Sequence, residues 1–389
     1  MSERIITGID VGTQHIKVAV ARVPQRSPQA KPEIIGTGVA ESRGLKNGYI
    51  INPGDVTRSV KSALSQAEQA AGVPIKSAYV AIGSIGLEEI YSHGEIIPAR
   101  ADSEVVSSDL EKVMQDSEDR IADRIPNRRI LHAIPLRYQI DGTEILGRPQ
   151  GNKGTKLEVD SLFVTSYEQH VADLIATIEH AGVYVEDDVI AAPIAASIVM
   201  LSNAQKRAGC VLVNIGAETT SMIVYEDNTP LSVKIFPMGA SDITNDIALG
   251  LRVPLEEAEK LKRGGMSGTT VSKKRLDEII TNRLITIFTL IDSQLKKIKR
   301  DELLPAGVIL TGGGASSQLA VDAAKQTLNL PARIATLELG KTAKLKDASW
   351  SIAYGLCMWA ASDHNDGHAV GAVKGVRKSW LAWLQQFLP

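Results

Sequence analysis

Two hydrophobic periods alternate along this chain, and their order predicts its architecture. Residues 4–9 and 16–23 are rich in isoleucine, valine and alanine, and the polar turn between them carries Asp10, Gly12 and Thr13, which predicts a hairpin. A strand is expected over residues 33–40. Asn52, Pro53, Gly54 and Asp55 then cap a helix reaching about Ala71, because Val56, Val60, Ala63, Leu64 and Ala67 recur at helical spacing. Residues 77–82 return as a strand. Between 83 and 164 the texture changes to a strand at 89–98, an acidic helix at 107–121 and strands at 130–140 and 157–165. An α/β pattern resumes at 168–181 and 189–202, so the intervening stretch reads as an inserted β-α-β-β unit.

The opening pattern then comes back. Residues 209–225 repeat strand, polar residue, glycine, hydroxyl turn and second strand, with Asn214 in the place of Asp10, Gly216 in the place of Gly12, and Thr219, Thr220 and Ser221 after them. Two such hairpins imply two related halves, and two facing halves make a cleft suited to a small ligand. A tip that offers an acid, a glycine and a hydroxyl, followed by Lys17 as counter-charge, can hold phosphate through backbone N–H groups; an ordinary glycine turn is the alternative. Further on, Phe236 leads through a turn at Gly239 into a helix, and Pro254 opens the next one. There Glu259 and Lys262 share a face and could hold a ribose, or form a plain surface ion pair. A buried strand is expected over 303–311, ending in Gly312, Gly313 and Gly314, where a base or phosphate could approach the backbone closely.

Composition narrows this picture. With 389 residues, 44% hydrophobic and 23% charged, the chain has material for more than one globular core. A net charge of −2 excludes general attraction to nucleic acid. Cys210 and Cys357 lie in apolar runs and read as buried free thiols of a reducing compartment. No basic-then-apolar leader opens the chain, and the longest apolar stretch, 189–201, is too short to span a bilayer; a cytoplasmic protein is expected.

On Asp10, Gly12 and Thr13, on Asn214, Gly216, Thr219 and Thr220, and on Gly312–Gly314, the chain resembles the actin superfamily, whose two phosphate motifs and adenosine motif fall in this order. Within it, residues 239–262 and the insertion at 84–165 look like the FtsA family of bacterial cell-division proteins. The resemblance implies an α/β, actin-like fold of two duplicated ribonuclease-H-like halves around a nucleotide cleft. It divides the chain into a first core (1–83 and 166–205), an inserted α+β subdomain (84–165), a second core (206–240 and 304–362), a nucleotide-capping subdomain (241–303), a linker (363–375) and a terminal helix (376–389). By the same likeness Asp10, Gly12, Thr13, Gln14, His15 and Lys17 lie along the phosphates of ATP or ADP. Asp10 then approaches Mg²⁺ indirectly, Asn214, Gly216, Thr219 and Gly239 complete the cradle, Glu259 and Lys262 meet ribose and adenine, and Gly312–Gly314 lie beneath the nucleotide.

The departures from that family bear on chemistry. Its second hairpin normally reads Asp-x-Gly-Gly-Gly-Thr-x-Asp, where this chain has Asn214, Ala217, Glu218 and Ser221. Ile198 stands where a water-orienting Glu or Gln is usual. A nucleotide-binding scaffold with at most weak hydrolysis is therefore expected, rather than an enzyme; an actin-fold kinase and a pilus-assembly adaptor are the alternatives. The resemblance further implies a homopolymer, later division proteins as partners, and the C-terminal peptide of the tubulin-like protein FtsZ docking near Lys274, Arg275 and a helix expected over 276–295 that carries Asn282 and Arg283. His364 and His368, four apart, lack a third ligand nearby for a metal site. Finally, Val376, Trp380, Leu381, Trp383, Leu384, Phe387 and Leu388 occupy an arc of roughly 160° on a helical wheel. With Lys374, Arg377 and Lys378 beside it, this segment reads as a helix lying in anionic lipid on the inner membrane face; docking on the protein's own core is the alternative.

Overall fold

The computed structural model describes residues 4–23, 32–99, 103–186, 189–265, 272–337 and 347–363. In the first half, β1 (Arg4–Val11) and β2 (His15–Val23) form the expected hairpin, with Asp10 opposite Lys17 and Val11 opposite Ile16. Strand β3 (Glu33–Glu41) pairs with β2. A small hairpin, β4 (Leu45–Lys46) with β5 (Tyr49–Ile50), precedes α1 (Pro53–Ala71). The Asn52 side chain caps α1 by accepting from Asp55 N at 3.3 Å, and Gly72 ends it in a left-handed turn at φ 69°. The predicted apolar stripe of α1 is its buried face, laid on β2 and β3. Strand β6 (Ser77–Ile82) runs parallel to β1.

The inserted unit follows as β7 (Glu88–Ile96), α2 (Ser107–Asp119), β8 (Arg128–Ile140), β9 (Thr143–Ile145) and β10 (Leu157–Tyr167), a separate sheet in the order β7-β10-β8-β9 with its own small core under α2. The chain then returns through α3 (Glu168–His180), β11 (Tyr184–Val185), β12 (Ile190–Ala191), α4 (Ala192–Met200) and α5 (Asn203–Ala208), with β11 and β12 both pairing with β6.

In the second half β13 (Cys210–Ile215) and β14 (Thr220–Glu226) make the second hairpin, β15 (Thr229–Phe236) flanks β14, and helices α6 (Ala240–Leu251), α7 (Leu255–Lys262) and α8 (Lys273–Lys297) follow. Strand β16 (Gly307–Thr311) pairs parallel to β13; a 3₁₀ turn (Gly313–Ala315), α9 (Gln318–Leu328) and β17 (Ala332–Ile334) complete this half. The sheet orders β3-β2-β1-β6-β11 and β15-β14-β13-β16-β17 are the same. Each is an antiparallel hairpin with a third strand outside it and parallel strands on the other side, so the repeat read from two hairpins extends to both sheets.

Three expectations change. The strand expected over 303–311 begins only at Gly307, because Leu303 is exposed and Pro305 interrupts the run. The helix expected over 276–295 starts at Lys273, so Lys274 and Arg275 lie in its first turn. The last described helix, α10 (Ser351–Asp363), was expected in the second core, yet it packs on α4, β1, β2 and β6 of the first. A methyl group at Gly355 would stand 1.9 Å from Ala195 O, so only glycine permits this crossing. Both cysteines are buried and free, and no described helix is long and apolar enough to cross a membrane.

A carboxylate centres the polar contact between the inserted sheet and the second half. Glu89 of β7 accepts from Ser232 Oγ at 2.7 Å, Val233 N at 2.9 Å and Gln294 Nε2 at 2.7 Å, and Tyr91 donates to Leu231 O. Ser232 and Gln294 are buried. Glu89→Ala strands these donors and should lower the unfolding free energy by about 2 kcal/mol in urea titration; an unchanged midpoint would show that the contact is idle.

Candidate nucleotide cleft

The two hairpin tips meet between the halves. Each is closed by the same tight turn: a Cβ at Gly12 would lie 2.8 Å from His15 O, and one at Gly216 would lie 2.9 Å from Thr219 O. Gly216 N donates to Thr219 O at 2.8 Å. Across the cleft, Glu218 N approaches Thr13 Oγ1 at 3.4 Å, and Glu218 Oε2 accepts from Asn47 N at 2.6 Å. Gln14 is exposed and His15 half-buried at the first tip. Burial, then Lys17 and Arg263, push the His15 imidazole below its ordinary range, against Glu41.

Asp10 and Lys17 face each other across the first hairpin. Burial pushes the Asp10 carboxyl up to about 6 against the pull of Lys17. Lys17 Nζ donates to Ser349 O at 2.7 Å and stands 5.8 Å from the centre of the Trp350 ring. Burial also lowers its pKa, against Asp10 and Asp347. The cation expected to answer phosphate is thus engaged by the turn before α10.

The second tip, the start of α6 and the glycine run form one packed unit. Ala240 N donates to Gly216 O and Ser241 N to Ala217 O, both at 2.8 Å, so these first-turn amides of α6 hold the tip itself. Asp242 Oδ2 accepts from Gly239 N at 2.8 Å. A Cβ at Gly312, whose φ is 89°, would fall 2.3 Å from Asn214 Oδ1 and 2.4 Å from Ile215 O; one at Gly314 would fall 2.6 Å from Ile215 Cγ2. Gly313 is open to solvent on the 3₁₀ turn. Thr220 Oγ1 donates to Met238 O, and Ser221 is buried opposite Asn214. Ile198 is half-buried on α4, beside Ser197, whose hydroxyl meets Tyr225 at 2.8 Å.

Glu259 and Lys262 do form the ion pair, at 2.6 Å, but beside α6 rather than in open solvent. Lys262 Nζ also donates to Ala240 O at 3.0 Å and Thr244 Oγ1 at 2.7 Å, and Glu259 takes Arg263 at 2.7 Å. Burial opposes ionisation of Glu259, and the bonds from Lys262, Thr244 and Arg263 outweigh it, holding the carboxyl below its usual range.

The expected peptide-binding residues separate. Arg283 is committed to Asp246 of α6 through bonds of 2.6 and 2.8 Å, an internal brace rather than a free cation. Lys274 and Asn282 line a hollow of about 610 Å³ on α8, but Asp277 and Glu278 line it too, and Arg275 approaches Glu278 at 3.6 Å. This face is mixed in charge, not basic, because helical spacing puts the acids between the lysines and Asn282. The membrane residues Arg377, Lys378, Trp380, Leu381, Trp383, Leu384, Phe387 and Leu388, the linker, and His364 and His368 lie outside the described residues.

Sequence reasoning missed Asn47 and Glu89. The Asn47–Gly48 pair was a legible turn signal, but nothing in it pointed across the cleft. Another cavity, of about 730 Å³, lies where the insert meets the second half, between Tyr91, Arg137, Asp160, Glu226 and Arg300. His93, Glu95 and Glu158 cluster near it in a metal-like array, but Lys156 Nζ already bonds Glu95 at 2.6 Å and Glu158 at 2.9 Å.

Duplicated sheets with hairpin tips meeting between them, and a second small sheet inserted in the first half, define an actin-like protein. The fold is shared with a solved PilM-PilN type IV pilus biogenesis complex, at 17% identity and TM-score 0.68 over 92% of this chain and 98% of that one. MreB5 of Spiroplasma citri bound to ADP shares it at 13% identity and TM-score 0.51, over 94% and 99%. The family model "Cell division protein FtsA" matches residues 211–355, and that of the SHS2 domain inserted in FtsA matches 87–165. The chain is 30% identical to the Cell division protein FtsA of Pseudomonas aeruginosa over 94% of its own length and 91% of the relative's. It is 26% identical to that of Escherichia coli over 98% and 96%. This chain belongs to the FtsA family of cell-division proteins.

Two substitutions probe the cleft. Because Asp10 ionises near 6 when folded and near 3.8 when free, the folded state binds the extra proton and stability falls as pH rises between those values. The stability of Asp10→Asn relative to the parent should therefore climb across that window by up to about 3 kcal/mol and stay level on either side; a difference flat in pH would contradict this. Gly312→Ala, strained at φ 89° and clashing with Asn214, should lose about 2–4 kcal/mol in urea titration.

Proposed function

We propose that this protein is a nucleotide-binding, polymerising scaffold of the division apparatus that holds the FtsZ ring to the inner face of the cytoplasmic membrane and helps recruit later division proteins. The observation that carries it is the chemistry of the two tips. Glycine cradles, the Thr13 hydroxyl and the Lys262 brace are kept at the cleft, which suits a bound ATP or ADP. The second tip, however, offers the Asn214 amide packed at Gly312 in place of a carboxylate. For Mg²⁺ this leaves Asp10 as the carboxylate of the first tip, with Glu218 turned to Asn47. The donor set therefore fits a nucleotide better than a divalent cation, and favours holding over hydrolysis.

The family supports a place in cell division. The aromatic and basic pattern of residues 374–388 supports attachment to anionic lipid, with a polymer adding avidity to a tail that binds weakly alone. The FtsZ peptide is assigned to the N-terminal turns of α8 near Lys274 and Asn282, Arg283 serving to brace them.

Full-length protein should sediment with anionic vesicles and release phosphate from ATP far more slowly than a well-catalysed ATPase. The chain lacking residues 375–389 should stay in the supernatant. Undiminished sedimentation of the short chain would overturn the tether, and rapid phosphate release would overturn the scaffold.

A further inference from the structure

The cavity of about 730 Å³ between the insert and the second half carries more acid than its own cations neutralise. Arg137 of β8 is taken by Asp160 of β10, and Arg300, just past α8, by Glu226 of β14 through bonds of 3.0 and 2.7 Å. Glu144 of β9 on the insert wall and Asp227 of the β14–β15 turn on the other wall are left over. Both are exposed, and no ion pair among the described residues includes either. Two spare carboxylates on opposite walls of a polar hollow fit a segment that carries several cations close together.

The chain owns such a segment, and its root lies beside one of the strands that line the cavity. From 374 to 389 the sequence has Lys374, Arg377 and Lys378 and no acid. Helix α10 ends at Asp363, and its Trp359 ring stands edge-on to His132 of β8, centre to centre at 5.8 Å. From His132 to Arg137 is about 17 Å along that strand. Residues 364–373 join Asp363 to Lys374, a link that reaches up to about 35 Å, so the cavity lies within its range. Exposed ion pairs are weak one by one, but a short tether holds the cations at an effective concentration on the order of millimolar, and a few such pairs then suffice. We infer that, away from lipid, segment 374–378 docks in this cavity between Glu144 and Asp227, and that anionic lipid competes for the same three cations. Docking holds the tail back from weakly charged surfaces and yields it to strongly anionic ones, so attachment becomes steeper in surface charge than the tail alone would make it. The competition rests on the reading of the tail as a lipid tether; the docking does not.

Zero-length carbodiimide coupling of the full chain without lipid, read by mass spectrometry, tests the docking. Lys374 or Lys378 should be joined by an amide to Glu144 or Asp227 within one chain, and vesicles rich in phosphatidylglycerol should reduce these links at least about fivefold. Tail lysines coupled only to acids outside the cavity, or links that in a mixture of light and heavy-isotope chains always join two copies, would overturn the docking. The double variant Glu144→Gln, Asp227→Asn tests the competition. Both positions are exposed and Asn accepts the left-handed φ of 49° at 227, so neither change disturbs the fold. The variant should reach half-sedimentation at roughly a third or less of the vesicle concentration that the parent needs; an unchanged concentration would overturn the competition. Failure of the parent to sediment with any amount of these vesicles would overturn the tether and the competition together, while the lipid-free links still decide the docking.

Discussion

The cleft depends on the return of α10 to the first half. Ala353, Leu356, Cys357 and Ala360 are fully buried there, and the approach is so close that Gly355 faces Ala195 O and Gly8 faces Ala353 O with no room for a side chain. Burial of this size is worth several kcal/mol at roughly 25 cal/mol per Å². It sews the end of the second half onto the sheet that carries the first hairpin. It also delivers Ser349 and Trp350 to Lys17, and Lys17 faces Asp10. The electrostatics of the first tip thus follow from the packing of α10 on the first half, which reaches β1 at Gly8 beside it.

At the second tip the logic is different. The amides opening α6 hold the tip's own carbonyls, and Asn214 packs on Gly312, so strand, helix and glycine run are packed as one unit. Negative charge reaches this tip through Glu218, which bonds across the cleft instead of facing a cation on its own side. The two tips are alike in backbone and opposite in chemistry. One has a half-buried acid with a lysine beside it; the other has a neutral amide and an acid that leans on its neighbour.

Helix α8 links regions that are distant in sequence. Near its middle Arg283 braces Asp246 of α6, and near its end Gln294 meets Glu89 of the insert. Both contacts are charge-assisted and half-buried or better, the geometry in which such bonds stabilise most. The insert is therefore held to the second half through a bonded carboxylate beside a polar cavity of about 730 Å³, and through apolar packing of Leu131, Ile134, Leu162 and Val164 in one core with Val233 and Ile235.

Much of this was legible locally. Hairpins, caps and the α1 stripe depend on neighbours a few residues apart, so alternation, Asn52 and the 3.6 period were sufficient to place β1–β3, α1, the insert and both tips. The duplication was readable because each tip demands the same glycine at the same step, Gly12 and Gly216. What sequence could not supply were contacts set by where separate elements come to rest. It read Lys17 as a phosphate partner, but a turn 332 residues away takes its ammonium. Arg283 looked like a free basic residue, yet α6 packs close enough to bring Asp246 to it. The mixed charge of the α8 hollow appears only once helical rotation sets Asp277 beside Lys274. By itself the sequence determined which backbone segments fold as strands, turns and helices, because those preferences are local. Only the tertiary structure decided which charges are paired, buried or aimed across the cleft, because pairing depends on distances that the chain acquires when its two halves meet.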